Sequence, residues 1–322
     1  MPRSTRVDYH GALEWLLEKE QPAVRYRALI DLLDMKESDP EVIELKSRIT
    51  KKGWASAILR RQRPGGYWNS RKSLYVPKYT ATNWMALILS DLGVIKDDSR
   101  VEKTAGLIFS DWLNDRTMED ISDREVCVIG NTTRMLARFG YADHPKVKRL
   151  FDWLVDDQKE DGGWHCFDSD KGTLDCWEAL AAYAALEPSA RNGRIRRSIE
   201  RGAEFYLDRN MYREGRKKYQ PWFRFHYPNH YYYDILLGLD VITSLGYGDD
   251  RRLGPALRLV EEKRRSDGKW LMDSVHPDIG PGADYSPRVK PTPFSLEEAG
   301  MPSKWITLRA MRVLKRAGNL NL

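Results

Sequence analysis

One turn recurs three times along this chain and restricts the fold more than any other feature. Its copies are Gln62-Arg-Pro-Gly-Gly-Tyr-Trp68, Gln158-Lys-Glu-Asp-Gly-Gly-Trp164 and Arg265-Ser-Asp-Gly-Lys-Trp270. Each follows a segment with helical periodicity and precedes another. In residues 144–158, Val147, Leu150, Phe151 and Leu154 fall on one helical face. Asp161-Gly162-Gly163 then supplies residues able to take positive φ and stop that helix. Trp164 is expected to bury its ring across the hairpin and donate its indole N–H to a nearby carbonyl.

The other half of the repeat is a more apolar helix, ending in glycine in residues 80–93, 126–140, 234–246 and 305–318. Residues 173–186 and 23–33 fit the same slot, and the six start roughly 50 residues apart. Amphipathic segments alternate with them at 9–20, 41–61, 100–113, 144–158, 195–209 and 252–264. A hairpin that cannot bury its apolar face alone must stack on its neighbours. Six inner and six outer helices without polar capping ends predict an all-α fold, an α6/α6 toroid of six outer–inner hairpins. Residues 1–322 are read as a single domain, in which 1–52 carry the pattern most weakly. The long connections 211–228 and 271–302, rich in Pro, Gly, His and aromatic residues, are expected over one mouth of the barrel.

Composition narrows the partners. The net charge of +6 and pI near 9.0 permit anionic ligands. Basic residues are nevertheless interleaved with acidic ones, as in 191–200 and 251–265, so no nucleic-acid partner is expected. No apolar run approaches the roughly 20 residues of a membrane helix, and no integral membrane segment is expected. The first residues lack the apolar core of a signal peptide. With that, the three cysteines read as reduced thiols in a cytoplasmic protein. A protein partner stays open.

The Gln-x-x-x-Gly-Gly-Trp turns, the hairpin period and the six inner helices resemble the terpenoid-cyclase and protein-prenyltransferase superfamily, in particular its squalene-cyclase-like bacterial and archaeal members. The resemblance spans nearly the whole chain and is strongest from about Tyr79 to Gly318. It implies an enzyme that binds a hydrophobic isoprenoid chain in the barrel and acts by prenyl transfer or cyclisation. Two departures bear on the chemistry. The Asp-x-Asp-Asp acid motif of squalene–hopene cyclases is missing, Asp168-Ser169-Asp170-Lys171 being the nearest string, and so is an Asp-Asp-x-x-Asp signature. Asp97-Asp98 and Asp249-Asp250 instead stand at outer-helix starts, where acidic residues favour the positive helix end.

The cysteines are the clearest chemical signal. Cys127 and Cys176 open consecutive inner helices and Cys166 follows the turn between them, so a toroid gathers all three at one mouth. With His230, or with His165 or His226, they would complete a Cys₃His zinc shell. Without a metal they are small buried hydrophobes. Protein prenyltransferases hold zinc with an Asp, a Cys and a His, and the resemblance puts Asp175, Cys176 and His230 in those places. Their Asp and Cys are one residue apart, however, whereas Asp175 and Cys176 are adjacent and would point about 100° apart on a helix.

Polar residues at inner-helix starts form a second group: Glu125, Asn131, Asp175, Glu178 and Asp234. Asp175, Glu178 and Asp234 are the acid candidates, because a carboxyl in an aromatic pocket has a raised pKa. Helix capping is the structural alternative for Asp234 and Glu125. Aromatic residues crowd positions 222–233, and Trp222, Tyr231 and Tyr232, with Asn131 and Trp177, are the expected substrate walls. Arg213, Arg216 and Lys217-Lys218 are either solvated charge or a diphosphate contact. Two other readings compete: a zinc-dependent toroid that activates a thiol, as lanthionine cyclases do, and a non-catalytic toroid that binds a ligand or partner. The chain shows no P-loop, Rossmann fingerprint, His-Glu-x-x-His or nucleophile elbow.

Overall fold

A computed structural model describes residues 9–121, 124–214, 219–275 and 294–320. Its first helices are α1 (His10–Leu16), α2 (Pro22–Asp31), α3 (Pro40–Arg48), α4 (Gly53–Leu59) and α5 (Thr82–Asp91). There follow α6 (Ser99–Leu107), α7 (Asp115–Glu119), α8 (Val126–Leu136), α9 (Pro145–Asp156) and α10 (Glu178–Ala184). The last four are α11 (Gly193–Asp208), α12 (Ile235–Ser244), α13 (Gly254–Glu262) and α14 (Lys304–Arg316). Among the described residues there is no strand, only isolated bridges such as Trp164 with Thr173.

Helices α2, α5, α8, α10, α12 and α14 form an inner ring. Each packs on the next, with α4 filling the gap between α2 and α5. All six line one cavity of ≈ 370 Å³ on the ring axis, which shows that the ring is closed. Outside it lie α1, α3, α6, α9, α11 and α13, each against an inner helix. The expected α6/α6 toroid is therefore the observed architecture. Inner helices are packed on nearly every side, and in α5 every residue from Trp84 to Ser90 is buried. Outer helices bury a single stripe, which in α9 is Val147, Leu150, Phe151 and Leu154, as the spacing predicts.

The recurrent turn ties three helices together. Each indole N–H donates to a carbonyl ten residues back: Trp68 to Ile58 at 2.9 Å, Trp164 to Leu154 at 2.8 Å and Trp270 to Val260 at 2.7 Å. Burying such a ring contributes on the order of 5 kcal/mol. The glutamine reaches the following outer helix, Gln62 to the Arg100 carbonyl at 2.9 Å and Gln158 to the Ser198 carbonyl at 2.9 Å. Gly162, at φ 90°, is glycine for two reasons: its backbone is left-handed, and a Cβ there would stand 2.4 Å from the Arg201 carbonyl oxygen. Asp98 and Asp250 cap the segments that follow them, accepting from the amides of Arg100 and Arg252.

Two expected helices differ. Residues 41–61 are two helices rather than one, because Gly53 takes φ 75° and turns the chain between α3 and α4. The inner helix expected over 173–186 starts only at Glu178. Residues 173–177 are held instead by longer-range bonds: Thr173 to the Trp164 carbonyl at 2.9 Å, Leu174 N–H to Glu214 at 3.1 Å and the Tyr206 hydroxyl to the Leu174 carbonyl at 2.8 Å. Of the long connections, residues 230–231 pack on α5 and α8 through Trp84 and Asn131, while Tyr227 and Asn229 reach down to Asp91 and Arg309. Residues 276–293 of the second, and Arg216 with Lys217-Lys218, lie outside the described residues.

Candidate active site

The mouth formed by the N-terminal ends of the inner helices gathers the three cysteines. Cys127 stands in the first turn of α8, Cys166 follows the Trp164 turn, and Cys176 sits in the bonded segment before α10. The Cys176 and Cys166 sulfurs are 3.6 Å apart, and the Cys127 thiol donates to Glu125 Oε2 at 3.5 Å. Ligating atoms of Glu125, Cys127 and Cys166 all lie within 4.8 Å of one another. The neighbouring Cys127 and Cys176 side chains hold the Cys166 sulfur below the ordinary thiol range. Cys127 and Cys176 are pushed up by Cys166 and then by burial. Of the three, Cys166 is the thiol most readily deprotonated.

Cys127 also walls a cleft of ≈ 30 Å³ together with Tyr75, Trp84, Trp112, Asn131 and Tyr231. The walls are closed on one another: Tyr75 stacks on Trp112 at 5.8 Å, Trp84 meets Tyr231 edge-on at 5.3 Å, and the two tyrosine hydroxyls are 3.0 Å apart. Space of this size holds one or two waters. A larger ligand enters only if the aromatic side chains move.

Beneath the cluster, Glu178 is fully buried and neither carboxylate oxygen has a hydrogen-bond partner. Burial, followed by the charge of Cys166, pushes it well above the carboxylate range. Its position follows from Gly130: a Cβ there would stand 2.6 Å from Glu178 Cβ, so α8 and α10 approach at backbone distance.

Most of the residues singled out in the sequence meet at this mouth, in different tasks. Asn131 lines the cleft and bonds the His230 carbonyl at 2.8 Å and the Arg134 guanidinium at 3.0 Å. Trp177 is buried with Arg134 over its ring at 4.9 Å. Asp175 accepts from the buried Trp222 indole at 2.7 Å, which ties the 220–223 turn to the segment carrying Cys176. Tyr232 rests against Tyr231 at 5.6 Å.

Two residues stand apart. His230, at φ 52°, stacks on Tyr79 at 4.7 Å, and burial lowers its pKa to about 3. It is not in the group with Glu125, Cys127 and Cys166. Asp234 caps α12 through the Leu237 amide at 2.8 Å and also binds Asn229 and the His226 ring, each at 3.0 Å.

Tyr75, Trp84 and Trp112 went unnoticed in the sequence. Trp84 occupies the first turn of α5 as Cys127 does that of α8, and this equivalence was the available signal.

No family model matches the chain, and no curated protein matches it. Among solved structures, it is similar to the type II terpene cyclase MstE from Scytonema. One variant of that enzyme is in complex with its product merosterolic acid A and another with its substrate geranylgeranyl dihydroxybenzoate. Identity is 16% in each case, over 94% of this chain and 88% of that one, with TM-scores of 0.45 and 0.44. A likeness of this degree says nothing of this chain's chemistry. No helix among the described residues is long and apolar enough to cross a membrane.

Proposed function

We propose that the protein is an enzyme that holds an apolar, isoprenoid-type chain against the aromatic cleft and acts on it beside a zinc ion bound by Cys127, Cys166, Cys176 and Glu125. The observation that carries this reading is the double position of Cys127, a member of the sulfur cluster and a wall of the cleft. Glu125, Cys127 and Cys166 are the donors already gathered within 4.8 Å, and Cys176, beside Cys166 but outside that group, would have to move in to complete the shell. Bonds of about 2.3 Å to sulfur and about 2.0–2.2 Å to oxygen give tetrahedral edges near 3.8 Å between sulfurs and 3.5 Å from sulfur to oxygen. Two edges match these lengths, Cys176 to Cys166 at 3.6 Å and Cys127 to Glu125 at 3.5 Å.

Bound zinc would supply a Lewis acid that keeps thiolates deprotonated at neutral pH. The chain's own groups do the rest. Glu125 is exposed and the weakest-held donor, the one an incoming group would displace. The faces of Tyr75, Trp84, Trp112 and Tyr231 favour positive charge developing on a prenyl carbon. Glu178 is the acid candidate that the structure leaves without a hydrogen-bond partner. Asp175 and Asp234 serve to fix the Trp222 turn and the start of α12. Prenyl transfer fits this arrangement better than protonation-initiated cyclisation, because the sulfur cluster and not Glu178 adjoins the cleft. A second reading, thiol activation on a small polar substrate, is favoured by the ≈ 30 Å³ volume.

Zinc content by plasma mass spectrometry, on protein purified without a metal-affinity tag, is the test, together with titration of a fluorescent geranylgeranyl analogue. About one zinc per chain, lost in Cys127→Ser and Cys176→Ser, with saturable binding of the analogue, supports the proposal. Zinc without analogue binding transfers the site to the thiol-activating reading. Absence of stoichiometric metal overturns both.

A further inference from the structure

The opposite mouth, where the inner helices end, contains the ≈ 370 Å³ axial cavity, and nothing in the thiol site uses it. Its wall carries seven basic and five acidic side chains, a surplus of two positive charges. Arg134 near the end of α8, with Arg138 just beyond it, faces Arg309, Arg312 and Arg316 on α14. In the order of the ring, α8 and α14 are diametrically opposed, so two guanidinium groups of residues meet across the axis.

Three carboxylates hold them. Asp91 pairs with Arg134 at 3.4 Å and with Arg138. Asp240 pairs with Arg312, with Arg316 at 3.1 Å and with Arg309 at 3.6 Å. Asp31 takes Arg312 at 3.2 Å. Converging helix C-termini also favour cations here, which explains how the arginines persist without a ligand. It does not supply acceptors for their N–H groups. Arg134 and Arg309 are 4% and 3% exposed; the buried Arg134 Nε has no hydrogen-bond partner, and the buried Arg309 Nε has only the 3.6 Å ion pair with Asp240, too long for a hydrogen bond. Arg134 also reaches Asn131 Oδ1 at 3.0 Å and Arg309 reaches Asn229 Oδ1 at 2.7 Å, yet five guanidinium groups present more donors than these acceptors take up, and buried donors are ordinarily satisfied.

From this surplus of buried donors we infer that the cavity is a binding site for a small phosphate-bearing anion. A phosphate group brings acceptors only, and its oxygens point in several directions. It can therefore take guanidinium forks from α8 and α14 at once, bidentately, where a single planar carboxylate serves one side. The volume is in the range of small-molecule sites. Enclosure in the cavity, opposed by Asp91 and helped by the charges of Arg134, Arg27 and Arg312, lowers the Arg138 pKa to about 10. This inference stands independently of the thiol site.

Calorimetric titration of the full chain with inorganic pyrophosphate, inorganic phosphate and malonate at matched ionic strength tests it. Saturable binding of pyrophosphate or phosphate, stronger than malonate, is expected. Arg138→Gln and Arg316→Gln, each at a side chain 30% exposed and so less needed for folding, should weaken it about tenfold or more. Circular dichroism checks that both variants fold. No saturable binding of either phosphate by the unaltered protein overturns the inference. So does malonate binding as tightly, or affinity unchanged in both folded variants.

Discussion

The Cys166 sulfur accepts a hydrogen bond from the Cys176 thiol at 3.6 Å, and its cysteine neighbours lower its pKa, so the half-buried member of the cluster is the one most readily deprotonated. In protein stripped of metal by a chelator, iodoacetamide should therefore modify Cys166 first. Its rate should stay high below pH of about 8.5, where an ordinary thiol loses roughly tenfold per unit. Peptide mapping by mass spectrometry reads the order. Preferential labelling of Cys127 would contradict the assignment of the thiolate, and protection on adding zinc would support the donor set.

Trp164 anchors the middle copy of the recurrent turn through the Leu154 carbonyl. Trp164→Phe keeps most of the apolar ring but orphans a buried acceptor. The expected cost is about 1–3 kcal/mol, with some addition for the smaller ring. Urea denaturation followed by circular dichroism measures it. Trp270→Phe should behave alike, since its bond to Val260 repeats the geometry.

Gly130→Ala probes the contact between α8 and α10. A Cβ there stands 2.6–2.9 Å from the side chain and backbone of Glu178, and backbone cannot swing aside. Overpacking of this kind costs about 1–3 kcal/mol. The same change should widen the separation of Cys127 from Cys176, so zinc affinity should fall along with the melting temperature. Stability lost with zinc affinity unchanged would detach the helix contact from the thiol site.

Acid should unfold the axial network. Arg134 and Arg138 hold the buried Asp91 below the usual carboxylate range against the opposing effect of burial, and Arg312, Arg316 and Arg309 do the same for Asp240. A depressed folded pKa contributes stability that is fully present above the unfolded value of about 4 and is lost as pH falls through the folded value. Melting temperature should thus hold above about pH 5 and fall steeply below about 4. Asp240→Asn should be strongly destabilised at neutral pH, with its gap from the unaltered protein narrowing as acid is added. A gap independent of pH would mean that Asp240 acts through packing alone.

The toroid was legible because its cause is local and repeated. Glycine at a left-handed turn position, tryptophan two residues on and helical spacing on either side are one-dimensional signals. The meeting of Cys127, Cys166 and Cys176 followed from that periodicity, since equivalent positions in successive hairpins share a mouth. The start of α10 was not legible, because Glu214 and Tyr206 bind residues 173–174 from more than thirty positions away. Nor was the place of His230, whose left-handed backbone and stacking on Tyr79 depend on a loop path. The arginine mouth escaped for a different reason. Arg134 and Arg309 read as charges on helices, and only closure of the ring turns both inward.

The seam of that ring is α14 against α1 and α2, where Lys304 meets Glu18 at 2.7 Å and Lys315 bonds the Leu32 carbonyl at 2.8 Å. Partners there are more than 280 positions apart in the chain. On a ribosome, the first hairpins must therefore wait with an apolar flank open until the last inner helix has emerged. The arginine cavity, walled on one side by α14, comes into being only at that final docking event, whereas the thiol cluster sits on neighbouring hairpins made earlier. Such long-range closure is slow relative to local hairpin formation. A nascent chain halted before α14 would carry every cysteine of the cluster and yet have no finished enclosure around them.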